Sequence, residues 1–569
     1  MGADRVPGAA GYDGGSQHMI DRVYGTRVML INTPIREAAA PNCAPLGVAL
    51  LAGVLRSAGA SVSILDLNAY RVKDALADSR GLSENGRFLT TEEANALIAR
   101  HMIRHGEPHM IGLSGTITTL RWQRHVAQAA REYAPNALLV SGGGLATEFR
   151  RGLFQWIPQL DAVCAGDGDE MILQIAADAR TIDEHGRVGS VLSGKLGPRL
   201  VEHERDGTLR MEYAGEPTND LDGLPLPAWD LMHADVRGQR TLETYIRNPI
   251  WGAVARNSSA TPIRMERSLN TVGSRGCPHR CRFCYENAQG GVYRTRSARS
   301  IANEMRWMRD KYALDFIGML DENFLTQSRR LAELPLEMER AGILGKIAWG
   351  THGRLDEAAD IHPSNGPVRA GARRVDDLAK AGCAYIGFGA ESASPRVLES
   401  MGKGGFSLAN GLVELDGFQV PRSMVEGHKN TVEAGIHVNC TWILSYPNSK
   451  IEDEKASVAF INWQERTLGN RDGVNRRMFQ ATAFPGTEMF RHERVRRRLS
   501  DGFGISFGPD GREIQDDALL KYVLALDDAS KVLTDNAGRP VFYGDTTEDE
   551  FLRMRELVEA GKSSEILNL

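Results

Sequence analysis

The sequence predicts an α/β protein with more than one domain. From Arg27 onward, short β-branched apolar runs that end in Gly, Ser, Asn or Asp alternate with stretches of helical period, which is typical of a parallel, doubly wound sheet. The proline-punctuated string "LDGLPLPAWDLM" then indicates a domain boundary. The C-terminal part mixes charge runs with amphipathic stretches instead. At 569 residues the chain is also too long for a single core.

Composition narrows the classes of function. Hydrophobic residues at 42% and charged residues at 25% are ordinary for a soluble globular protein. The net charge of −5 provides no basic field, which disfavours a nucleic-acid partner. No apolar run approaches the ~18 residues of a transmembrane helix, so we expect no membrane partner. We expect a cytoplasmic monomer.

The first third of the chain offers a candidate ligand edge. Ligands of doubly wound sheets bind outside the carboxyl ends of the strands. There Ser114 and Thr116 provide hydroxyls, and Gly142, Gly143 and Gly144 would let a ligand approach the backbone. The alternative is that these glycines only make turns. A dinucleotide is disfavoured because no G-x-G-x-x-G opens the first helix.

The cysteines predict a metal site. Cys277, Cys281 and Cys284 form C-x3-C-x2-C, while Cys43, Cys164, Cys383 and Cys440 are scattered singly. Seven cysteines in a long chain do not suggest a disulfide framework. Structural zinc usually takes four ligands, and no second pair follows, although His279 within the loop leaves zinc as an alternative. Three thiolates suit a four-iron, four-sulfur (4Fe–4S) cluster with one open iron.

This motif resembles the signature of radical S-adenosylmethionine (SAM) enzymes. The pieces "FIGMLDENF", "IAWGTHGRLD", "YIGFGAESASPRVLESMGKG", "HVNCTWILSYPN" and "FQATAFPGTEMF" resemble successive strands of that family's partial (β/α)6 barrel of the TIM type. The resemblance implies a 4Fe–4S cluster on the three clustered cysteines. It also implies that SAM is bound by Phe283, by Arg354 through its carboxylate, and by Glu391 and Ser392 through its amino group or ribose.

Two parts of this resemblance leave alternatives open. Asp321, Glu322 and Asn323 follow the second of these strands, where they are either site residues or ordinary surface and core groups. The string "WILSYPN" stands where the family more often has a glycine before the proline. That departure puts the contacts made by this loop in doubt. Cys383 and Cys440 are expected to be small core residues.

The first third resembles the cobalamin (B12)-binding domain attached to many radical SAM enzymes. The matching pieces include "PLGVALLAGVLRSAGASVSILD", "IGLSGTITT", "LLVSGGGLAT" and "DAVCAGDGDEMI". The implied cobalamin-binding residues are Leu46, Tyr70, Arg71, Ser114, Thr116, Gly142, Gly143, Gly144, Gly166 and Glu170. The Asp-x-His-x-x-Gly motif is missing, which implies cobalamin with its own base displaced and no histidine on cobalt. Tyr70 and Arg71 are candidates for the lower face of cobalt.

Together these resemblances predict the domains. The expected segments are a disordered tail over 1–24, a Rossmann-like cobalamin-binding domain over 25–195, a linker over 196–268, a radical SAM barrel over 269–492 and a C-terminal, mostly helical cap over 493–569. The cap either closes the barrel mouth or acts as a lid that selects the substrate. Residues 406–425 look like an insertion that either lines the substrate cavity or decorates the barrel.

The resemblance to class B radical SAM methyltransferases implies a function. It implies methylation of an unactivated carbon of a small molecule through a 5′-deoxyadenosyl radical and methylcobalamin, with an external electron donor of the flavodoxin or ferredoxin type. It singles out no catalytic side chain. Two alternatives stay open: cyclisation, rearrangement or oxidation without methyl transfer, and a non-catalytic cobalamin-binding sensor. The intact cysteines, Arg354 and Glu391 argue against the sensor.

Overall fold

The computed structural model describes residues 14–35, 43–70, 89–204, 207–232, 238, 240–247, 265–285, 291–361, 373–468, 478–526, 533–560 and 562–568. The chain divides into two compact units, Met1–Tyr245 and Ile246–Leu569. Each unit is built around its own sheet of mainly parallel strands. Within the described ranges, no helix has both the length and the apolar character that crossing a membrane requires.

The first unit holds a seven-stranded sheet. Its strands are β1 Arg27–Asn32, β2 Ser61–Asp66, β3 Met110–Ser114, β4 Leu138–Gly142, β5 Ala162–Gly166, β6 Leu200–His203 and β7 Leu209–Gly215. The strand order is β2-β1-β3-β4-β5-β7-β6. All neighbours pair in parallel except β6 and β7, which are antiparallel. The predicted Rossmann-like α/β fold is confirmed.

Helices connect these strands. They are α1 Gly14–Val23, α2 Leu46–Ser57, α3 Thr91–His105, α4 Leu120–Tyr133, α5 Gly144–Phe149, α6 Leu153–Trp156, α7 Met171–Leu192 and α8 Thr241–Ile246. The start of α3 shows how the sequence sets such boundaries. Thr90 Oγ1 accepts a hydrogen bond from the Glu93 amide at 3.2 Å, and the Glu93 carboxylate accepts one from the Thr90 amide at 2.8 Å. This capping box satisfies amides that the first helical turn leaves without partners.

Two segments of this unit hold regular structure within the predicted tail and the predicted linker. Helix α1 occupies the second half of the predicted disordered tail, and Arg22 on it lies 3.6 Å from the Asp178 carboxylate of α7. Strands β6 and β7 occupy part of the predicted linker. The buried carboxylate of Asp178 also accepts hydrogen bonds from Arg199 Nε at 2.7 Å and from the Tyr213 hydroxyl at 3.0 Å. One buried carboxylate therefore attaches both segments to helix α7.

The second unit holds a six-stranded sheet and two small strand pairs. The strands are β8 Ser268–Thr271, β9 Ser274–Arg275, β10 Arg294–Thr295, β11 Phe316–Met319, β12 Ala348–Gly353, β13 Cys383–Glu391, β14 Leu412–Leu415, β15 Phe418–Pro421, β16 His437–Leu444 and β17 Met478–Gln480. The main order is β17-β16-β13-β12-β11-β8, with every pair parallel. This is the predicted partial barrel.

Helices of the second unit follow the strands. They are α9 Ala298–Tyr312, α10 Ser328–Arg340, α11 Leu355–Ala358, α12 Arg374–Lys380, α13 Pro395–Ser400, α14 Gly404–Leu408, α15 Arg422–Glu433, α16 Ile451–Leu468, α17 Glu493–Phe503, α18 Asp517–Ala525 and α19 Glu548–Glu559. The last three belong to the predicted cap, and its mostly helical character is confirmed.

The register of the barrel strands defines an interior face. Tyr385 of β13 pairs with His437 of β16 and packs against Phe316 of β11. Because side chains alternate along a strand, Gly387 and Gly389 lie on the same face as Tyr385. The opposite face packs on helices, as shown by the contact between Trp442 of β16 and Phe460 of α16. The space left by these two glycines is filled by other side chains of the unit, His352 beside Gly387 and Glu391 beside Gly389.

The loop after β16 explains the departure noted in "WILSYPN". Ser445 has φ 57°, in the left-handed region that favours glycine. Its hydroxyl accepts hydrogen bonds from the amides of Tyr543 at 3.2 Å and Gly544 at 3.0 Å. On the next strand, Gln480 Oε1 accepts one from the Leu533 amide at 3.1 Å. Serine here therefore anchors the C-terminal segment at the carboxyl ends of β16 and β17.

The predicted insertion over 406–425 contains the β14–β15 hairpin. Asp416 and Gly417 form its turn with φ 47° and 85°, as Asp-Gly turns of hairpins require. The Asp416 carboxylate pairs with Arg466 of α16 at 2.8 Å, and both strands pack against that helix. The hairpin thus lies on the helical layer of the barrel.

Glu454 should make the stability of the protein depend on pH. Burial raises its pKa to about 7, although Ser449 and the Ser445 amide donate hydrogen bonds to Oε1 at 2.8 and 2.9 Å. Since the folded protein binds this proton more tightly than the unfolded chain, stability is lost as pH rises toward 7. Glu454→Gln mimics the protonated acid. We expect about 3 kcal/mol of relative stabilisation at pH 8 and none at pH 4.

Thermal denaturation of the wild type and Glu454→Gln at the two pH values measures this difference. Glu452→Gln, exposed on the same helical turn, is the matched control and should show no gain that depends on pH. An equal change in melting temperature at both pH values for Glu454→Gln would contradict the assignment.

Candidate functional site

The clustered cysteines lie on one short loop that follows β9. All three thiols are partly exposed. Gly276 precedes them with φ 73°, and a Cβ there would lie 2.6 Å from the Val292 carbonyl oxygen, so only glycine fits. Within the loop, the Cys284 amide donates to the Cys281 carbonyl oxygen at 3.1 Å. The loop backbone is therefore defined by contacts other than a metal.

The three thiols suit a cluster better than a single ion. Burial raises the pKa of Cys277 to about 11, and the neighbouring Cys281 and Cys284 act in the same direction. The three sulfurs are thus close enough to interact. In the described part of the chain, no group of three or more His, Cys, Asp or Glu side chains is placed to hold one metal ion. Cluster thiolates each bind a different iron and need not converge on one point.

His279, the possible fourth zinc ligand, bonds to the protein instead. Its Nε2 lies 2.8 Å from Glu357 Oε1, and its ring packs edge-on against Phe406. The same carboxylate oxygen accepts a hydrogen bond from Asn323 Nδ2 at 3.0 Å. His279 therefore fixes the cysteine loop to the residues that follow β11 and β12. Asn323, whose role the sequence did not decide, is buried and supports the cysteine loop through its hydrogen bond to Glu357.

Asp321 supports the start of the same loop. It is fully buried, and its carboxylate accepts hydrogen bonds from the Gly273 amide at 2.8 Å and from the Ser274 hydroxyl. Burial raises its pKa, and the nearby Arg330 guanidinium acts against that shift. Glu322, between these two buried residues, is exposed. Asp321 and Asn323 thus hold the loop in place, whereas Glu322 points to the surface.

Arg354 lies beside the cysteine loop and is held by a protein carboxylate. Its Nε and Nη2 donate to the two oxygens of Asp356 at 2.9 and 2.5 Å, and its Nη1 lies 3.7 Å from Cys281 Sγ. Although burial acts to raise the pKa of Asp356, the guanidinium lowers it to about 2. The predicted partner of Arg354 was the SAM carboxylate. In the structure Arg354 pairs with Asp356, and its predicted role toward SAM stays a prediction.

Glu391 turns back into the barrel at the end of β13. Its φ of 64° lies in the left-handed region, and a Cβ on Gly389 would lie only 2.4 Å from Glu391 Oε1. Lys403 Nζ lies 3.6 Å from the same oxygen. Burial raises the pKa of Glu391, and Lys403 acts against that shift. Sequence reasoning missed Lys403, whose only signal was its place between two glycines.

The other two predicted SAM residues have protein contacts. Ser392 is buried, and its Oγ accepts a hydrogen bond from the Ser394 amide at 3.1 Å. Phe283 packs edge-on against Tyr446 with ring centroids 6.4 Å apart. Ser392 therefore supports the turn into α13, and Phe283 lies at the loop that follows β16. Their predicted roles toward SAM stay predictions.

The predicted cobalamin residues lie along one edge of the first unit. The order β2-β1-β3-β4-β5 places the reversal of direction between β1 and β3, where such sheets bind ligands. Ser114 ends β3 and is partly exposed, and Thr116 beyond it is exposed. A Cβ on Gly142 would meet only the Cys164 carbonyl oxygen, at 4.0 Å. This edge is polar and open beside Gly142, which fits a bound ligand.

Two of the predicted glycines lie against the backbone of neighbouring loops. Gly143 has φ 80°, and a Cβ there would lie 2.8 Å from the Gly115 carbonyl oxygen. Gly166 has φ 81°, and its Cβ would lie 2.2 Å from the carbonyl oxygen of Gly215. These glycines let neighbouring strand-end loops touch, which for Gly143 is the use that the turn alternative expected. The predicted roles of both toward cobalamin stay predictions.

The remaining predicted positions vary in accessibility. Leu46 begins α2 and is buried, Tyr70 is fully buried, Gly144 begins α5, and Glu170 is exposed just before α7. Arg71 lies outside the described residues.

A buried polar cluster that the sequence analysis missed precedes Tyr70. Asp66 Oδ1 accepts hydrogen bonds from Asn32 Nδ2 at 2.7 Å and from the Asn68 amide at 3.1 Å. Asn68 Nδ2 donates to the Tyr245 hydroxyl at 3.0 Å. Burial raises the pKa of Asp66 to about 6. This cluster joins the carboxyl ends of β1 and β2. In the sequence, the Asp and Asn of "SILDLN" at the end of β2 could have indicated it.

Comparison with known families identifies both units. Residues 33–176 match the B12 binding domain, and residues 271–461 match the radical SAM superfamily. The chain is a B12-binding radical SAM protein. The cofactors of this family are SAM, a 4Fe–4S cluster and cobalamin, as the sequence predicted. The thiol loop and the open edge beside Gly142 are the parts of the two units that suit the cluster and cobalamin.

Curated relatives carry two kinds of name. An uncharacterized methyltransferase of Pyrococcus horikoshii is 23% identical over 476 residues, covering 82% of this chain and 83% of its own. An anaerobic magnesium-protoporphyrin IX monomethyl ester cyclase of Cereibacter sphaeroides is 23% identical over 361 residues. That match covers 63% of this chain and 49% of the cyclase.

Solved structures share the fold. The cobalamin-dependent SAM radical enzyme OxsB, with aqua-cobalamin bound, aligns with a TM-score of 0.58 at 14% identity, over 87% of this chain and 64% of OxsB. The radical SAM methyltransferase TsrM of Kitasatospora setae, with cobalamin and a 4Fe–4S cluster bound, aligns with a TM-score of 0.53 at 15% identity. The TsrM alignment covers 95% of this chain and 98% of TsrM. At 14% and 15% identity, these two likenesses show a shared fold and nothing further.

Cysteine substitutions test the cluster site. Cys277→Ala, Cys281→Ala and Cys284→Ala should each abolish cluster binding, because each removes the ligand of one iron. The measurements are iron content and visible absorbance after anaerobic reconstitution. Cys383→Ala is the control, since that thiol is buried in β13. A full complement of iron in any of the first three variants would refute the site.

A substitution at Gly142 tests the open edge of the first unit. Because no atom lies closer than 4.0 Å to its missing Cβ, Gly142→Leu should fold and fill the space. We expect cobalamin affinity to fall at least about tenfold, with little change in melting temperature. Equilibrium dialysis measures the affinity. Gly166→Ala is the contrasting variant, because its backbone contact predicts lost stability. Unchanged cobalamin affinity in Gly142→Leu would place the ligand elsewhere.

Proposed function

We propose that this protein is a cobalamin-dependent radical SAM methyltransferase that methylates an unactivated carbon of a small molecule. The observation that carries the proposal is the combination in one chain of the thiol loop beside Arg354 with an open-edged B12 binding domain. A relative named as a methyltransferase aligns across 82% of the chain, which supports methyl transfer as the outcome.

The protein's own residues would hold and shield the reacting groups. Cys277, Cys281 and Cys284 would hold the cluster, and the buried Arg354 guanidinium beside Cys281 would offset the negative charge of the thiolates. Glu391, folded back over Gly389, offers a carboxylate to the SAM ammonium. Cofactors bound at these sites supply hydrogen abstraction and a methyl group, which an acceptor carbon without acidity or a lone pair requires.

The interior of the barrel suits a reaction that must exclude water. The C-terminal segment anchored by Ser445 and Gln480 lies at the carboxyl ends of β16 and β17, on the side where barrel active sites form. Closing that side would keep solvent away from reactive intermediates. We propose that this segment shields the site. An external one-electron donor of the flavodoxin or ferredoxin type completes the proposal, because reductive cleavage of SAM consumes an electron.

Cyclisation without methyl transfer is the second candidate function. It is favoured by the relatives named as magnesium-protoporphyrin IX monomethyl ester cyclases, which also match about half or more of this chain. This chain spans only about half the length of the first of them, 49%. The two candidates use the same cofactors and differ in the fate of SAM.

The products formed from SAM distinguish these functions. A methyltransferase of this kind should form one 5′-deoxyadenosine and one S-adenosylhomocysteine for each methylated product, which is heavier than the substrate by about 14 Da because CH₃ replaces hydrogen. The test is an anaerobic incubation of reconstituted protein with cobalamin, reductant and candidate substrates, followed by mass spectrometry. Cys281→Ala is the inactive control. Product and 5′-deoxyadenosine without S-adenosylhomocysteine would instead support cyclisation or another outcome without methyl transfer.

A further inference from the structure

We infer that Lys403 is the cation that binds the carboxylate of SAM, with Glu391 beside it for the ammonium. This inference rests on the SAM-binding part of the proposed function and is independent of methyl transfer. It reassigns the role that the sequence analysis gave to Arg354.

Arg354 has little capacity left for a ligand. A guanidinium carries five N–H donors. Four of those of Arg354 are directed at protein acceptors: two at the Asp356 carboxylate, one at the Lys403 carbonyl oxygen at 3.2 Å, and one at Cys281 Sγ at 3.7 Å. The planar group matches the carboxylate of Asp356 with both arms. Turning Arg354 toward a ligand would leave Asp356 buried without its partner, which is costly.

Lys403 is a buried cation that is only loosely paired. Its side chain is 9% exposed, and its Nζ donates to the Gly389 carbonyl oxygen. The distance to Glu391 Oε1, 3.6 Å, is longer than a hydrogen bond. An ammonium carries three donors, so a further acceptor can be bound. Lys403 can therefore exchange or share its partner without leaving a charge unpaired.

The Lys403–Glu391 pair matches the amino-acid end of SAM in charge. That end carries one carboxylate and one ammonium, so its carboxylate would face Lys403 and its ammonium Glu391. Each charge keeps an opposite neighbour before and after binding, which avoids the penalty for an isolated buried charge. Glu391 is already directed into the barrel by its left-handed backbone.

The chain segment that carries Lys403 also contacts the cysteine loop. The Arg282 amide donates to the Met401 carbonyl oxygen at 2.9 Å. Gly402 has φ 68°, and a Cβ there would lie 3.0 Å from the Arg280 carbonyl oxygen, so the two backbones touch. Residues 401–403 thus bring Lys403 to the loop whose thiols suit the cluster. A ligand shared by the loop and the barrel interior would lie within its reach.

The test compares SAM with decarboxylated SAM, which has the same sulfonium, adenosine and amino group. Binding to cluster-reconstituted, cobalamin-loaded protein is measured by anaerobic equilibrium dialysis. In Lys403→Met we expect the preference for SAM over decarboxylated SAM to fall about tenfold, since a charged hydrogen bond to the carboxylate is lost. Lys403→Arg should keep the preference. Lys429→Met, at a partly exposed position of α15, is the matched control and should match the wild type.

Other outcomes overturn the inference. An equal loss of affinity for both ligands in Lys403→Met would show that Lys403 only positions Glu391. Unchanged affinities for both ligands would show that Arg354 binds the carboxylate. Iron content confirms that the cluster is present, and Lys403→Gln, which keeps a donor for the Gly389 carbonyl oxygen, replaces Lys403→Met if that variant does not fold. Because only binding is measured, the result stands whether or not the protein transfers a methyl group.

Discussion

The buried pair of Arg354 and Asp356 is the interaction on which the arrangement of the barrel site depends. Arg354 directs one arm at Cys281 and another at the Lys403 carbonyl oxygen, while Asp356 also accepts a hydrogen bond from Ser407 at 2.9 Å. The ends of β12 and β13 and the cysteine loop therefore meet at one charge pair. Removing either partner of such a pair leaves an uncompensated buried charge, at a cost of about 3–5 kcal/mol.

Much of the fold and the chemistry was predictable from local patterns. Apolar runs followed by small polar residues predicted parallel strands, and the spacing of Cys277, Cys281 and Cys284 predicted their shared loop. The helix Gly14–Val23 and strand β7 were not predicted. Each is attached through Asp178, far away in sequence, so its stability does not come from its own composition. Lys403 was missed for a different reason: it follows a short helix, and only the folded chain brings it back to Gly389 and Glu391 of β13.

Glycines show why a site is harder to predict than a fold. Gly142 and Gly143 are adjacent, and a sequence pattern treats them alike. At Gly143 the missing side chain makes room for the backbone of Gly115, whereas at Gly142 it leaves open space. From the sequence, a glycine shows only that no side chain is present. Whether protein or ligand uses the space depends on strands that are distant along the chain.

The attachment of the C-terminal segment has a consequence for the way this chain reaches its native state. Ser445 and Tyr543 are 98 residues apart, so their contact must await most of the second unit. Strand β17 is an edge of the six-stranded sheet, and Gln480 on it binds the same late segment. Until that segment docks, an unpaired strand edge is available to other chains, which is a hazard for aggregation. The contacts that we propose to shield the barrel site would therefore also protect the nascent protein against self-association.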